Sequence, residues 1–465
     1  MKGEAMRRNL ILSTDSYKLT HHRMYMPETA QVYSYMEARL GAEYEETTFF
    51  GLQAILKRHF MSPVTMEDVE EADQFCDDHF GMDLFNRPMW EYIVKHHEGR
   101  LPLRIKAVPE GMRVPNSNVL MTVENTDTNC ASLTNHAETL LLQTWYPSTI
   151  ATVGDDLWRF FKYAYAQTGA EGSPEYLLHD FGFRGGSSAE SAGIGGMAHL
   201  VHFRGTDTIE GVRYAQEYYP GAGMPGNSVP ASEHSVMTSL GEGNDIYVAK
   251  TIIAQYPHGI LSIVSDSYDI MRAVRYYCTE LADAILARTG KFVVRPDSPR
   301  HARDTAAAQV VTIAELLARY FGFSVNEKGY KTLHPKVGII YGDGLSPEEI
   351  KGVVNALALA GFDASTCVFG MGGGRLQRVN RDTQRFSLKC SAQVVNGEEI
   401  AICKDSRGKA SKPGKLKLIR TDAGKLITVR TSQGFKEPDL LETVYENGRL
   451  VREHSWDDVV QRAQA

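Results

Sequence analysis

One pattern is repeated through the middle of the chain: a short apolar segment, a cluster of acids or glycines, and then a helical segment. It first occurs at "LLHDFGFRGG", residues 177–186, and returns at "FRGTDT", "ILSIVSDSYD", "KFVVRPDS", "VGIIYGDGLSPEEI" and "CVFGMGGG". Tandem β-α units of this kind pair in parallel through right-handed crossovers. Six strand ends bearing acids or glycines favour a TIM-like barrel over a doubly wound sheet, because all strands of a barrel end at one mouth.

The two ends of the chain have a different pattern of secondary-structure segments. Residues 1–150 mix short β segments with helical ones, and β hairpins follow Arg385. The sequences "NGE" and "DAGK" suit tight reversals between strands. We therefore predict an α/β protein with an irregular TIM-like (β/α) barrel over 151–384. A second, β-rich α+β domain is predicted from residues 1–150 plus 385–465.

Composition excludes several classes of protein. The 465 residues carry a net charge of −7, and no block of like charges gives the footprint of a nucleic-acid partner. No apolar stretch approaches the ~18 residues of a membrane span, and the N-terminus lacks a signal-peptide core. The six cysteines show no ligand spacing, which is typical of buried reduced thiols. We expect a cytoplasmic protein with neither a nucleic-acid nor a membrane partner.

Two glycine-rich segments follow neighbouring strands, "GDG" at 342–344 and "GMGGG" at 370–374. Glycine lets backbone N–H groups approach an anion closely. Each segment alone is also compatible with a plain turn. Two of them at adjacent strand ends of one barrel favour a phosphate site.

Acids and one histidine occur beside these loops. Asp297 and Asp343 end successive strands, where carboxylates can hold ribose hydroxyls or Mg²⁺, serve as a glycosidase acid and base, or simply cap helices. In "SDSYD", Asp266 is either a ligand or a helix cap. Glu233 and His234 lie together in "SVPASEHS", and a histidine there is a general base, a phosphoryl acceptor or a structural residue.

Eight motifs, taken in order, resemble those of the nicotinamide phosphoribosyltransferase family, one of the type II phosphoribosyltransferases. They are "TDSYKLTH", "HDFGFRG", "GTDT", "SVPASEHS", "SDSYD", "RPDS", "GDG" and "FGMGGG". The resemblance implies an irregular α/β barrel with a second domain from both chain ends, and a homodimer with two shared active sites. It also implies an enzyme that joins nicotinamide to 5-phosphoribosyl 1-pyrophosphate, with Mg²⁺, to give nicotinamide mononucleotide and pyrophosphate in NAD salvage.

The resemblance assigns four residues to the base. Phe181 stacks on one face of the pyridine ring, and Tyr17 of a second copy covers the other face. Arg184 lies near the ring and its amide, and Asp207 accepts the carboxamide N–H. A nicotinate carboxylate would meet like charge at Asp207, so this acid favours the amide.

The remaining roles are also implied by the resemblance. Synthesis is coupled to ATP through phosphorylation of His234, Lys409 belongs to the ATP loop, and Mg²⁺ is held mainly by pyrophosphate and water. The catalytic group is His234, Asp297, Asp343 and Glu233; the ribose and phosphate group is Arg295, Asp297, Gly342, Asp343, Gly372, Gly373, Ser228 and Ser265; the pyrophosphate group is Arg39, Arg381, Lys389 and Lys404. Pro299 stands where the family has glycine, so the path after Asp297 is not carried over.

Three alternatives stay open at this point. A nicotinate phosphoribosyltransferase has the same fold and chemistry. A barrel glycosidase would use Asp297 and Asp343 as its carboxylate pair, although a neutral sugar needs no glycine loops. A non-catalytic nucleotide-binding dimer would keep the pocket without the reaction.

Overall fold

The computed structural model describes residues 8–297, 305–342, 344–404 and 411–465. The predicted residues Asp343, Lys409 and Pro299 lie outside these ranges. The strands are β1 (Thr29–Ala38), β2 (Glu46–Thr48), β3 (Leu103–Ala107), β4 (Arg113–Pro115), β5 (Val119–Asn125), β6 (Leu178–Asp180), β7 (Gly205–Thr206), β8 (Leu261–Val264), β9 (Phe292–Arg295), β10 (Phe323–Val325), β11 (Lys331–Leu333), β12 (Val337–Tyr341), β13 (Cys367–Met371), β14 (Phe386–Val395), β15 (Glu398–Ala401), β16 (Leu416–Arg420), β17 (Leu426–Arg430), β18 (Glu442–Glu446) and β19 (Arg449–Leu450).

The helices alternate with the strands in the middle of the chain. They are α1 (Leu52–Ile55), α2 (Met66–Phe80), α3 (Arg87–His96), α4 (Leu133–Leu142), α5 (Trp145–Thr168), α6 (Ala189–His199), α7 (Ile209–Tyr218), α8 (His234–Met237), α9 (Asp245–Gln255), α10 (Ile270–Cys278), α11 (Ala282–Ala287), α12 (Ala306–Phe321), α13 (Pro347–Leu359), α14 (Gly373–Gln377) and α15 (Trp456–Gln464). None of the described helices has both the length and the apolarity needed to cross a membrane.

The middle of the chain forms a curled parallel sheet. Its six strands are ordered β7-β6-β13-β12-β9-β8, and all the pairs between them are parallel. The segment 227–232 runs between the two edge strands: Thr206 N–H donates to Asn227 O at 3.0 Å, and Ser232 N–H donates to Ser262 O at 3.0 Å. The prediction of a TIM-like barrel is therefore met only in part, because six described strands and one irregular segment take the place of eight regular strands.

The second sheet takes its strands from both ends of the chain. It is antiparallel, with the order β15-β14-β1-β5-β3-β18-β19. β1 pairs with β5 on one side and with β14 on the other. Asn396 and Gly397, in the predicted "NGE" turn, have φ of 52° and 78°, as a tight hairpin between β14 and β15 requires.

Capping residues and prolines explain several helix boundaries. In "GLSPEEI" the sequence predicts a helix start at Ser346, and Ser346 accepts from Glu349 N–H in a capping box at the start of α13. The helical pattern from Ala137 predicts an interruption at Pro147. The break instead precedes it, because Pro147 lies in the first turn of α5, where its missing N–H costs nothing. The sequence also predicts one helix over 270–289, which the structure divides into α10 and α11.

Two of the hydrophobic clusters correspond to the two large sheets. One buries the parallel strands against the flanking helices, with Ile263, Val294 and Phe369 fully enclosed. The other buries β1, β3 and β5 against α2 to α4. The parallel sheet is thus a rigid base for the loops at its carboxyl edge.

Candidate active site

A cavity of about 940 Å³ opens at the carboxyl ends of the parallel strands. Its size suits a ligand larger than a single aromatic ring. Its lining residues come from the ends of five strands and from the segment that joins the edges: Phe181, Phe183, Arg184, Gly185, Asp207, Ala231, Ser232, Glu233, Arg295, Asp297, Gly342, Gly344, Gly372, Gly373, Gly374, Gln377 and Arg378. Nine of the residues predicted from the sequence are thereby brought to one cavity: Phe181, Arg184, Asp207, Glu233, Arg295, Asp297, Gly342, Gly372 and Gly373.

Phe181 is fixed at the end of β6 by its backbone. Its N–H donates to Met371 O of β13 at 2.8 Å, and its ring lies against Gly370, where any Cβ would overlap it. The next residue, Gly182, donates its N–H to Asp180 Oδ1 at 2.8 Å. The phenylalanine and the neighbouring glycines thus form a flat apolar wall at the mouth of the sheet.

Asp207 is held at the end of β7, beside the Phe181 wall. Its N–H donates to Asp180 O at 2.9 Å, and its carboxylate accepts a hydrogen bond from the Ser228 hydroxyl. Thr208, not Asp207, is the N-cap residue of α7, and it makes no side-chain cap bond. The Asp207 carboxylate therefore lines the cavity as a hydrogen-bond acceptor.

A polar cluster lies at the ends of β8 and β9. Asp297 N–H donates to Asp266 Oδ2 at 3.0 Å, so Asp266 does not cap α10; Asp269 does, accepting from Met271 and Arg272 N–H. His234 lies with Nε2 3.3 Å from Asp297 Oδ2 and with Nδ1 3.1 Å from the Ser267 hydroxyl. Burial raises the pKa of Asp266, and the nearby Asp297 carboxylate raises it further, against the opposing effects of the Asp297 N–H and His234.

Arg295 brings a fixed positive charge to this cluster. It ends β9, and its Nη2 donates to Ser232 O at 2.8 Å. Its Nε lies 3.9 Å from Asp297 Oδ1. The cluster thus presents one guanidinium and two carboxylates to the cavity edge, a set that can orient sugar hydroxyls.

The two glycine segments lie between the Phe181 wall and the polar cluster, because they follow β12 and β13, which separate β6 from β9 in the sheet. A side chain at Gly342 would come within 2.6 Å of Asp297 Oδ1, and one at Gly185 within 2.8 Å of Gly373 Cα. Larger residues at these positions would push the loops apart. Backbone is therefore exposed to the cavity over 372–374, as close binding of a phosphate requires.

Several predicted residues do not line this cavity within one chain. Ser265 is 4% exposed, and its hydroxyl donates to Ile263 O at 2.7 Å, so the structure places it in the core. Ser228 is held by Asp207 rather than lining the phosphate loops. Tyr17, in a 3₁₀ helix over Ser16–Arg23, is 57% exposed.

The predicted pyrophosphate residues lie on the second sheet and the loops beside it. Lys389 is on β14, paired with Tyr35 of β1. Burial lowers the pKa of Lys389, and the charges of Arg39, Lys412 and Lys404 lower it further, against the opposing charge of Glu37, which pairs with Lys412. A concentrated positive surface, here called the basic patch, is therefore formed by Arg39, Lys389, Lys404 and Lys412.

Comparison with known proteins identifies the family. The model for the nicotinate phosphoribosyltransferase (NAPRTase) family matches residues 176–447, and the model for the N-terminal domain of nicotinamide phosphoribosyltransferase matches residues 9–105. A nicotinamide phosphoribosyltransferase of Xanthomonas campestris pv. campestris is 42% identical, over 98% of each chain. One of Acinetobacter baylyi is 34% identical, over 98% of this chain and 97% of that relative.

The chain belongs to the nicotinamide phosphoribosyltransferase family. The family and enzyme class predicted from the sequence, a pentosyltransferase, are thereby confirmed. Solved structures share the fold at lower identity. A nicotinate-nucleotide pyrophosphorylase from Pyrococcus furiosus has a TM-score of 0.59 at 18% identity over 100% of this chain and 97% of that one. Human nicotinic acid phosphoribosyltransferase has a TM-score of 0.56 at 16% identity, over 97% of this chain and 93% of that one.

In this member of the nicotinamide phosphoribosyltransferase family, several residues of the cavity are not among those predicted from the sequence. Arg378 is the most informative, because its side chain reaches both glycine segments: a Cβ at Gly344 would lie 3.9 Å from its Nη2, and one at Gly374 would lie 3.9 Å from its Cδ. The motif "RVNRD" contains it, but the resemblance points to Arg381 instead. Phe183, Ser232 and Gln377 also line the cavity, without a sequence signal of their own.

Proposed function

We propose that this enzyme transfers the phosphoribosyl group of 5-phosphoribosyl 1-pyrophosphate to nicotinamide, giving nicotinamide mononucleotide and pyrophosphate in NAD salvage. One observation carries the proposal: the Phe181 wall and the Asp207 carboxylate share a single cavity with Arg295, Asp297 and both glycine segments. The cavity thus offers adjacent binding sites for an aromatic base and a ribose phosphate. The names of the 42% and 34% identical relatives support the same reaction.

Asp207 supports an amide rather than an acid as the preferred base. An ionised carboxylate accepts the N–H of a carboxamide, and a charge-assisted hydrogen bond of this kind contributes about 1.5–3 kcal/mol. Nicotinate would place a second negative charge against Asp207, whose carboxylate already accepts a hydrogen bond from the Ser228 hydroxyl. The alternative of a nicotinate phosphoribosyltransferase is therefore disfavoured by a like-charge contact.

In the proposed reaction the bond between ribose C1 and the pyrophosphate oxygen breaks, and its electron pair leaves with pyrophosphate. The pyridine nitrogen donates its lone pair to C1, and the positive charge of the oxocarbenium-like transition state passes to the pyridinium product. The chain's contribution is positioning: Phe181 and Asp207 orient the ring, Arg295 and Asp297 hold the ribose, and Gly372 and Gly373 hold the 5′-phosphate. Fixing two reactants in this way lowers a barrier by up to ~7–11 kcal/mol.

The donor chemistry of the cavity edge fits a divalent cation. Asp266 and Asp297 are close enough for the charge of Asp297 to raise the pKa of Asp266, and carboxylate oxygens are suitable ligands for Mg²⁺. Within the described ranges no group of three or more His, Cys, Asp or Glu residues has metal-binding geometry. We therefore assign most of the Mg²⁺ contacts to the substrate pyrophosphate. When bound, the ion neutralises negative charge on the leaving group.

A second copy of the chain is proposed to complete each site. Tyr17 is exposed, and neither it nor the basic patch lines the cavity of its own chain. A homodimer that places Tyr17 over the open face of the base and the basic patch over the pyrophosphate would supply both missing functions. Exposed aromatic and cationic side chains that face a symmetric partner suit a closed two-fold interface.

His234 is proposed to couple ATP to synthesis. Its ring is about half exposed and lies between Ser267 and the carboxylates of Asp266 and Asp297. An imidazole nitrogen would attack the γ-phosphorus of ATP, ADP would leave, and water would later cleave the N–P bond to release phosphate. The neighbouring Asp297 and Glu233 border the cavity, so phosphorylation would change charge where pyrophosphate leaves.

Product analysis tests the proposed reaction. The protein is incubated with nicotinamide, 5-phosphoribosyl 1-pyrophosphate and Mg²⁺, with and without ATP, and the products are separated and quantified. We expect nicotinamide mononucleotide and pyrophosphate in equal amounts, with more product when ATP is present. Absence of the mononucleotide in both reactions would overturn the proposal, whereas synthesis that ATP leaves unchanged would overturn only the coupling.

A further inference from the structure

Arg375 directly follows the glycine segment of the cavity, yet its side chain turns away from the ligand space. It lies in α14 and is 1% exposed. Within the described ranges no carboxylate lies within 4.0 Å of its guanidinium, and neither Nη atom has a hydrogen-bond partner. Burying a charge in this way is costly, and burial lowers the pKa of Arg375 to about 10. A buried guanidinium without a carboxylate partner must therefore serve a structural or functional role that offsets this cost.

Among the described residues, one hydrogen bond of this guanidinium leads toward β7, the strand that Asp207 follows. Arg375 Nε donates to His199 Nδ1 at 3.2 Å, and His199 Nε2 lies 2.9 Å from Gly205 O. A carbonyl oxygen only accepts, so Nε2 carries the proton and Nδ1 is the acceptor. His199 is thus held neutral in one tautomer between Arg375 and β7, two residues before Asp207.

The charge of the guanidinium acts on Asp180, which lies behind the base-binding wall. Asp180 is fully buried, and its Oδ1 accepts from Gly182 N–H while its carbonyl accepts from Asp207 N–H. Burial raises the pKa of Asp180 to about 6, against the opposing effects of the Gly182 N–H, the Thr208 hydroxyl and the charge of Arg375. Arg375 thus favours the ionised carboxylate, which is the stronger acceptor for Gly182.

Close packing fixes the guanidinium in this position. A Cβ at Gly154 would lie 2.9 Å from Arg375 Nη2 and 3.2 Å from His202 Nδ1. His202 is fully buried, and Arg375 helps to lower its pKa, to about 3, so it adds no positive charge. The guanidinium therefore has little freedom to turn toward the cavity.

We propose that Arg375 is a positioning residue for base recognition: through Asp180 and His199 it fixes the Phe181–Gly182 turn and the Asp207 end of β7 from behind the cavity. The inference rests on the proposed function. Arg375 touches neither the base nor the sugar phosphate. Its loss should loosen the two groups that hold the base and leave the ribose-binding Arg295 and Asp297 in place.

Steady-state kinetics of Arg375→Met and Arg375→Lys test this inference. We expect the methionine variant, which keeps the length and loses the charge, to raise KM for nicotinamide at least tenfold while KM for 5-phosphoribosyl 1-pyrophosphate changes less than threefold. The lysine variant, which keeps the charge, should recover at least half of the loss on a logarithmic scale. An unchanged nicotinamide KM in Arg375→Met, or a parallel rise of both KM values, would overturn the inference.

Arg288→Met is the matched control. Arg288 is also buried, at 3% exposure, but its guanidinium donates to the carbonyls of Tyr256, His258, Gly259 and Lys291, away from the cavity. We expect this variant to lower Tm and leave both KM values within twofold of wild type. A selective rise of nicotinamide KM here would show that any lost buried arginine has that effect, which contradicts a specific role for Arg375.

Asp180→Asn keeps the test decisive if Arg375→Met does not fold. It keeps the shape and the acceptor oxygen but removes the charge, so we expect nicotinamide KM to rise at least threefold with little change for the other substrate. A wild-type KM in this variant would overturn the inference by itself. The wild-type rates test the proposed function separately, and a wild type that uses nicotinate instead of nicotinamide would contradict it. In that case the role of Arg375 is still tested by the ratios of variant to wild-type KM measured with nicotinate.

Discussion

Asp207 donates its backbone N–H to the carbonyl oxygen of Asp180 at 2.9 Å, which joins the ends of β7 and β6 directly behind the cavity. Phe181 follows Asp180 immediately in the chain. The aromatic wall and the acid proposed to bind the amide are therefore linked directly through one backbone contact. A change behind the cavity should consequently alter base binding more than sugar binding.

Gly370→Ala should weaken base binding by displacing the Phe181 ring. A Cβ at this position overlaps the ring, and accommodating it requires the wall to move, at a cost of ~1–3 kcal/mol. We expect KM for nicotinamide to rise about tenfold, since ~1.4 kcal/mol corresponds to one factor of ten. The control is Gly352→Ala in α13, where nothing lies within 4 Å of the new Cβ; it should raise stability by ~0.5–1 kcal/mol and leave KM unchanged. Equal KM values for the two variants would contradict the assignment of Phe181.

His234→Ala should separate synthesis from ATP use. We expect the mononucleotide still to form without ATP, more slowly than in wild type because His234 contacts Asp297, whereas stimulation by ATP and ATP hydrolysis are lost, because the variant has no phosphoryl acceptor. Rates with and without ATP and an acid-labile phosphoenzyme assay provide the measurement. Normal stimulation by ATP in the variant would remove His234 from the coupling.

Asp180 should make stability depend on pH in a defined direction. Burial raises the pKa of Asp180 from 3.8 to about 6, so between these values the folded chain binds more protons than the unfolded chain. The contribution of the Asp180 carboxyl to the free energy of unfolding is therefore present at pH 4 and is lost as the pH rises through 6. The shift is equivalent to ~3 kcal/mol at most. We expect the Tm of Asp180→Asn to rise relative to the Tm of wild type as the pH is raised from 4 to 7, with little further change above pH 7. A Tm difference that is independent of pH would show that Asp180 is not held in this way.

Mixed dimers test whether two chains share each site. Tyr17→Ala and Phe181→Ala are expected to be impaired alone, but their co-expression with separate tags creates heterodimers in which one of the two sites has both aromatic residues. With random assembly, about a quarter of the wild-type sites should be restored. Phe181→Ala mixed in equal amounts with Asp207→Ala is the control. Because one chain supplies both Phe181 and Asp207 to a site, no heterodimer of these two variants contains a complete site. Equal activity of the two mixtures would contradict a site built from Tyr17 of one chain and Phe181 of the other.

Much of this architecture is predictable from sequence because it follows from local chemistry. Apolar segments that end in acids or glycines identified the parallel strands, and Ser346 identified the start of α13. The family resemblance also points to Phe181, Asp207, Arg295 and Asp297, and all four line one cavity. Strand ends of a parallel sheet meet at one edge, so residues far apart in the chain are predictably close together.

The direction of individual side chains could not be predicted from motif position. Ser265 comes one residue after β8, but its hydroxyl turns back to Ile263 O, which motif position alone does not reveal. Arg375 and Arg378 belong to one short helical turn, yet Arg375 is buried and Arg378 lines the cavity. The cap of α10 is Asp269 rather than Asp266, because Asp266 receives the Asp297 N–H from a strand that neighbours it only in the folded protein.

Competition between the two bases tests the central claim most directly. The enzyme is given equal concentrations of nicotinamide and nicotinate with limiting 5-phosphoribosyl 1-pyrophosphate, and the two mononucleotides are quantified for wild type and for Asp207→Asn. The wild type should form almost only nicotinamide mononucleotide, and Asp207→Asn should shift the product ratio toward the nicotinate product by about 10- to 100-fold, the equivalent of ~1.4–2.7 kcal/mol. A wild type that prefers nicotinate, or an Asp207→Asn variant with an unchanged product ratio, would contradict the account.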